Sequence, residues 1–105
     1  MSRPVTITAL AMADLDDCCA WIARDSVDAA ERFRDAALGT IERTSAFPEA
    51  GSRFETSIAR LGRLWWRRVD GFPNHLVFYS IDADAIRIVR VIRGERDLPS
   101  ALGVV

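Results

Sequence analysis

The first part of the chain contains a strand-like segment followed by a helix-like segment. Residues 5–10, Val-Thr-Ile-Thr-Ala-Leu, are rich in β-branched residues and alternate in polarity, which predicts a first strand. A helix is predicted from about Met12 to Arg24, because apolar residues recur there at spacings of three and four. These residues are Leu15, Cys18, Cys19 and Ile22. We expect the favourable dipole at the helix N-terminus to explain the acidic residues Asp14, Asp16 and Asp17.

A second helix is predicted to begin after Ser26 and to end near Phe47. Ser26 is a residue type that caps helix N-termini, and Pro48 cannot continue a helix. Its apolar residues again recur at spacings of three and four: Ala30, Phe33, Ala37 and Ile41. The short break around residues 25–26 predicts that the two helices form an antiparallel hairpin.

The second part of the chain predicts a loop and then three strands. Residues 48–62 are mixed and glycine-containing, as in a loop, and the strands are residues 64–69, 75–81 and 86–93. Turn-forming residues fill 70–74 and 82–85. The predicted fold is therefore α+β and a single domain of residues 1–105. It has an N-terminal strand, an α-helical hairpin and an antiparallel three-strand meander that forms one small sheet with the helices packed on it.

Composition places the chain among folded proteins, since 50% of its 105 residues are hydrophobic and 28% are charged. No apolar run approaches the roughly 20 residues that span a bilayer. The N-terminus lacks the apolar segment of a signal peptide, so we expect a cytoplasmic location and no membrane contact.

Cys18 and Cys19 are adjacent in the sequence, which favours buried thiols over a redox or metal role. We expect no cofactor and no metal.

Charge is distributed unevenly along the chain. All fourteen basic residues are arginine, and residues 53–96 hold nine of them against five acids. This split favours one face that suits an anionic partner. The alternative explanation is a GC-rich coding bias that favours arginine, together with ordinary solvated salt pairs.

Alternation in the last predicted strand distributes its arginines between two faces. One face holds Ile86, Ile88, Arg90 and Ile92, and the other holds Arg87, Val89, Val91 and Arg93. Because Arg90 lies between isoleucines, we expect it to be structural, paired with an acid such as Asp97 or stacked on an aromatic ring. Arg93 and Arg96 flank Gly94 at the strand end, where they are solvated charges or contact residues.

Trp65 and Trp66 are neighbours on a strand and must face opposite sides. One can enter the core, while the other is exposed or covered by a partner. Together with Arg67 and Arg68 they resemble both a nucleic-acid platform and a protein interface. His75 is the single histidine and has no metal-ligand spacing around it, so a metal site is not expected.

Five local motifs, in order along the chain, carry a resemblance to a known family. They are residues 13–16 (Ala-Asp-Leu-Asp), 28–33 (Asp-Ala-Ala-Glu-Arg-Phe), 47–51 (Phe-Pro-Glu-Ala-Gly), 71–79 (Gly-Phe-Pro-Asn-His-Leu-Val-Phe-Tyr) and 90–98 (Arg-Val-Ile-Arg-Gly-Glu-Arg-Asp-Leu). The chain resembles toxins of the ParE/RelE superfamily, the toxin half of type II toxin–antitoxin pairs, and is closer to ParE. The resemblance covers about residues 5–98.

The resemblance to ParE implies a non-enzymatic inhibitor of DNA gyrase with no catalytic residue, neutralised by a ParD-like antitoxin in a hetero-oligomer. Target contacts are then expected at Arg67, Arg68, Arg93 and Arg96. Antitoxin contacts are expected at Trp21, Trp65 and Trp66.

RelE-like members of the superfamily are instead ribosome-dependent mRNA endonucleases. Their candidate charge-stabilising set here is Arg67, Arg68, Arg90, Arg93 and Arg96. The chain has no lysine and no histidine or tyrosine after Tyr79, so the Arg93–Arg96 edge shows no adjacent proton carrier. This absence favours the gyrase inhibitor.

Two positions depart from the family pattern, since Arg93 is often histidine in such toxins and His75 is often tyrosine. An interaction module without toxicity is a third alternative.

Overall fold

The computed structural model describes residues 3–54 and 63–94. Its helices are α1 (Ala9–Ala23) and α2 (Val27–Ala46), followed by a short 3-10 helix (Pro48–Ala50). Its strands are β1 (Val5–Ile7), β2 (Ser52–Arg53), β3 (Trp65–Val69), β4 (Phe72–Ile81) and β5 (Ile86–Arg93). The α+β class and the helix hairpin are confirmed. Arg96, Asp97 and part of the predicted 48–62 loop lie outside the described residues.

The strands form one mixed five-stranded sheet in the order β1-β5-β4-β3-β2. The predicted meander is correct for β3, β4 and β5, which pair antiparallel, but β2 extends the sheet and β1 pairs parallel with β5. Val5 lies opposite Ile86, so the pairing joins segments that are distant in sequence. The sequence around either strand carries no local signal for such a contact.

The boundary between β1 and α1 differs from the prediction. Thr8 caps α1, because its Oγ1 accepts a hydrogen bond from the Ala11 N–H at 3.1 Å, and the helix begins at Ala9. The predicted strand to residue 10 and the predicted helix start at Met12 were therefore wrong. No acidic residue lies in the first turn of α1, so the helix dipole does not account for Asp14.

The second helix agrees closely with its prediction. Ser26 caps it by accepting a hydrogen bond from the Ala29 N–H at 3.1 Å, and Phe47 is its C-cap. The predicted apolar residues are all buried: Ala30, Phe33, Ala37 and Ile41. In α1 the predicted apolar residues also face the core, with Leu15 buried and Cys18, Cys19 and Ile22 packed beside it.

Irregular strand pairing changes which side chains face the core. The β4–β5 register shifts between Phe78 and Tyr79, leaving Val89 as an extra residue on β5. Val91 consequently joins Ile86 and Ile88 in the main core, while Ile92 lies in a second cluster. The predicted alternation for this strand was wrong beyond the bulge.

β4 also begins earlier than predicted. The turn before it contains Gly71 at φ 79°, and the strand begins at Phe72 rather than at residue 75. Pro73 fits in this strand because the register shift beside Val69 leaves it without a partner on β3.

The sheet carries a hydrophobic cluster on each face. The main core lies between the sheet and the helices and contains Leu15 and Phe33 from the helices and Val77 and Ile88 from the strands. The opposite face has a smaller cluster of Leu76, Phe78 and Ile92, against which Phe54, Leu64, Trp66 and Val89 pack. Neither helix of the described region has the length and apolar character that crossing a bilayer requires.

Candidate functional site

Arg90 forms a bidentate ion pair with Asp14 of α1. Its Nε donates to Asp14 Oδ2 at 2.6 Å, and its Nη2 donates to Oδ1 at 2.9 Å. The Val91 N–H donates to the same Oδ2 at 3.0 Å. The two side chains are 17% and 11% exposed, and the hydrogen bonds to Asp14 raise the pKa of Arg90. The predicted pairing of Arg90 with an acid is confirmed, with Asp14 as the partner.

A cavity of about 170 Å³ lies between α1 and the ends of β4 and β5. Its walls include Asp17, Cys18 and Trp21 from the helix, and His75 and Arg93 from the sheet. Two of the predicted contact residues, Trp21 and Arg93, therefore meet at one site. Trp21 is 55% exposed, and the Arg24 guanidinium lies 4.7 Å from its ring centroid.

His75 lies directly opposite Arg93 in the β4–β5 register. Its ring centroid is 4.7 Å from that of Phe33 on α2. The expectation that no proton carrier lies beside Arg93 was therefore wrong, because strand pairing joins residues that are far apart in sequence. An imidazole beside a guanidinium has the elements of general acid–base chemistry next to charge stabilisation.

The thiol in this cavity is not activated. Burial, followed by the negative charge of Asp14, raises the pKa of Cys18 to about 11. Burial also raises the pKa of the neighbouring Cys19. Both thiols therefore stay protonated near neutral pH and behave as small apolar groups, as predicted. Among the described residues, no three His, Cys, Asp or Glu side chains group as metal ligands.

The β3 residues alternate between the two faces of the sheet. Trp65 packs against the main core, with the Arg53 guanidinium 5.6 Å from its ring. Trp66 packs against the opposite cluster, with the Arg68 guanidinium 5.1 Å from its ring. Arg67 is on the helix side, where its Nη1 donates to Thr44 Oγ1 at 3.4 Å. The two tryptophans face opposite sides as predicted, and both are half-buried.

The predicted target-contact residues are consequently dispersed. Arg67 and Arg68 lie on opposite faces of the sheet, and Arg93 is two strands away from Arg67 at the α1 cavity. Arg96 lies outside the described residues. The predicted antitoxin-contact residues Trp21, Trp65 and Trp66 are likewise distributed over three surfaces.

The α1 wall of the cavity was not identified from the sequence, although a signal was present. Asp14, Asp17, Cys18 and Trp21 are spaced by three, one and three residues, as on one helix face. The neighbouring apolar stripe is sufficient to explain why this segment forms a helix, so the pattern alone does not single out the face that carries these four residues. The sheet half of the cavity depends on strand register and has no comparable local signal.

Comparison with known proteins identifies the fold and the family. The chain matches the family model described as "ParE toxin of type II toxin-antitoxin system, parDE" over residues 5–98. No curated protein sequence matches it at a significant level.

The solved structures that share the fold include two toxin–antitoxin systems. One is the chromosomal ParDE system of P. aeruginosa, with a TM-score of 0.72 and 14% identity, covering 90% of this chain and 98% of that chain. The other is the RelBE2 toxin–antitoxin complex of Mycobacterium tuberculosis, with a TM-score of 0.66 and 18% identity, covering 89% and 99% respectively. Because the family model spans nearly the whole sequence, this chain belongs to the ParE toxins of type II toxin–antitoxin systems, within the ParE/RelE superfamily.

Proposed function

We propose that this chain acts in the cytoplasm as a toxin that binds and inhibits DNA gyrase. The wide separation of Arg67, Arg68 and Arg93 is the observation that favours gyrase inhibition over RNA cleavage. Cleavage of RNA needs several groups that converge on one phosphate, to activate the nucleophile and to stabilise developing charge. A binding inhibitor has no such requirement, because separate arginines can contact separate parts of a protein partner.

The test compares gyrase supercoiling with ribosome-dependent mRNA cleavage, using the purified chain in both assays. We expect supercoiling to be inhibited in proportion to toxin concentration and mRNA to stay intact. Glutamine variants of Arg67, Arg68, Arg93 and Arg96 are then compared with Arg32→Gln, which alters an exposed arginine on α2. Intact supercoiling together with cleaved mRNA would overturn the proposal.

The second candidate function is a RelE-like ribonuclease, and the position of His75 beside Arg93 favours it. In that case His75 would transfer a proton and Arg93 would stabilise the phosphorane. His75→Asn would then abolish cleavage on ribosomes, whereas a gyrase inhibitor would keep most of its activity if the variant folds. Circular dichroism of the variant checks folding.

A ParD-like antitoxin is the proposed neutralising partner, in a hetero-oligomer with this chain. Asp16 and Arg34 form an ion pair at 2.7 Å across the two helices and mark the outer seam of the hairpin. Met12 lies one turn before Asp16, and Leu38 one turn after Arg34, and they are 38% and 41% exposed. An apolar helix of the antitoxin can cover these residues, while an extended segment pairs with an edge of the sheet.

Calorimetry with a ParD-like antitoxin tests this surface. Leu38→Asp is expected to weaken binding at least about tenfold, since it places a charge in an apolar contact. Ala83→Asp is the matched control, because residue 83 is exposed in the β4–β5 turn. Equal affinities for both variants would exclude the hairpin seam as the antitoxin site.

A further inference from the structure

Charge is segregated between the two layers of the molecule. Residues 9–46, which hold both helices, contain eight acidic residues and four arginines, a net charge of −4. The five strands contain no acidic residue and six arginines: Arg53, Arg67, Arg68, Arg87, Arg90 and Arg93. Among these arginines, Arg90 pairs with a largely buried carboxylate of the helix layer, Asp14. The sheet is therefore the layer that suits an anionic ligand.

The sheet face turned away from the helices contains an open hollow of about 250 Å³. Its walls are Trp66 and Arg68 on β3, Pro73, Asn74 and Leu76 on β4, and Gly94 after β5. Its lining combines apolar side chains with one guanidinium and one amide, and none of the described lining residues is acidic. Arg68 is exposed, and its guanidinium carbon lies 5.1 Å from the centroid of the Trp66 ring, so the two groups border the hollow together.

We propose that this hollow binds a base of single-stranded nucleic acid. Unstacked bases are bound by aromatic rings and by guanidinium planes, and Trp66 and Arg68 supply one of each at the hollow. The Asn74 amide has both a donor and an acceptor, the combination that hydrogen-bonds to a base edge. Leu76 and Pro73 give the flat apolar contact that a base makes inside such a hollow.

A second hollow shares Trp66 and Arg68 with the first. It has a volume of about 210 Å³ and is lined by Gly51, Ser52 and Arg67 as well as by Trp66 and Arg68. Its one carboxylate, Asp70, forms an ion pair with Arg43. Because Arg68 borders both hollows, a base held in the first hollow can place its adjoining phosphate near this guanidinium. Arg68 is also a proposed gyrase contact, so the test measures oligonucleotide binding directly, in the absence of gyrase.

Fluorescence anisotropy with labelled oligothymidylate and oligouridylate of about 12 nucleotides tests the proposal. Oligouridylate distinguishes RNA from DNA as the ligand, and a duplex of equal length is the third probe. We expect the single strands to bind more tightly than the duplex, with an affinity that falls as salt rises from about 50 to about 200 mM. Arg68→Gln should weaken binding about tenfold, whereas Arg32→Gln should weaken it less than about twofold.

Two further variants distinguish binding in the hollow from general electrostatic attraction between the protein and the oligonucleotide. Asn74→Asp and Ala83→Asp each add one negative charge at an exposed position, and only Asn74 lines the hollow. A larger loss of oligonucleotide affinity for Asn74→Asp supports the site. Equal losses, equal binding of duplex, or no binding of any oligonucleotide would overturn it. Loss of gyrase inhibition by Arg68→Gln without any oligonucleotide binding would identify a protein contact instead and would also overturn it.

Discussion

Gly51 shows how closely the segment after α2 fits against the sheet. The Tyr79 hydroxyl donates a hydrogen bond to the Pro48 carbonyl at 2.6 Å, and the Tyr79 side chain is fully buried. A Cβ added at Gly51 would lie 2.1 Å from Tyr79 Oη and 2.9 Å from the Trp66 carbonyl oxygen. The glycine that ends the motif at residues 47–51 is therefore explained by packing, because a larger residue at position 51 would leave no room for the tyrosine.

Gly51→Ala is expected to lower the free energy of unfolding by about 2 kcal/mol, since the tyrosine must shift to admit the methyl group. The measurement is urea denaturation. The matched control is Gly39→Ala in α2, where the added Cβ meets only the flexible end of Arg43 at 3.4 Å. That control should be neutral or stabilising by up to about 1 kcal/mol, because alanine favours helix. Similar destabilisation by both changes would contradict this explanation.

Cys18 is expected to make the folded state less stable at alkaline pH. Burial raises its pKa from 9.0 to about 11 in the folded chain, so the folded state retains a proton that the unfolded state loses. Its contribution to stability is fully present below pH 9 and is lost as pH rises toward 11. Burial raises the pKa of Tyr79 as well, and that group acts in the same direction.

We expect urea denaturation midpoints to fall between pH 9 and pH 11. The midpoint of Cys18→Ala should fall less steeply than that of the wild type, because one of the three groups whose pKa is raised, Cys18, Cys19 and Tyr79, has been removed. Cys18→Ala with an unchanged slope would show that the thiol does not titrate differently in the two states.

At the scale of elements, Asp14 holds α1 against the part of β5 that β1 does not cover. β1 pairs only with Ile86 to Ile88, and beyond that point the Asp14 carboxylate binds both Arg90 and the Val91 N–H. Thr8 joins the same elements, since its N–H donates to the Ile88 carbonyl at 3.0 Å. One carboxylate therefore replaces the strand neighbour that this edge lacks.

Asp14→Asn is expected to lower the free energy of unfolding by about 3 kcal/mol, because it leaves the Arg90 guanidinium without its buried carboxylate. Asp17→Asn changes an exposed residue on the same helix and should cost less than about 0.5 kcal/mol. The double change Asp14→Leu with Arg90→Leu should recover part of the loss, since an apolar pair removes the unpaired charge. Equal midpoints for the two asparagine variants would show that the ion pair contributes nothing.

Local signals in the sequence were sufficient for some elements and not for others. The second helix was predicted closely because Ser26 and Pro48 mark its ends and its apolar spacing is regular. The first helix was misplaced because Thr8, a β-branched residue, continues the strand pattern while acting as the cap. The bulge at Val89 is not visible in the alternating pattern of residues along β5, so the sequence could not show that Val91 faces the main core.

At the scale of the whole molecule, long-range contacts join the two ends of the described chain. β1 pairs parallel with β5, and Asp14 binds Arg90 from 76 residues away. The same distances explain why the sequence could not place His75 beside Arg93 in one cavity with Trp21. Fold class and family follow from local motifs, whereas the composition of the site depends on register and topology.

These contacts predict that the helix layer and the sheet unfold together. Release of α1 breaks the Asp14–Arg90 pair and exposes the edge of β5, so neither layer retains its core without the other. A variant with Trp21→Phe and Trp65→Phe keeps Trp66 as a fluorescence probe of the sheet, while circular dichroism follows the helices. We expect both signals to have the same urea midpoint, and Asp14→Asn to lower the two equally. Loss of the helix signal at a lower urea concentration than the Trp66 signal would show instead that the sheet keeps its structure after the hairpin has unfolded.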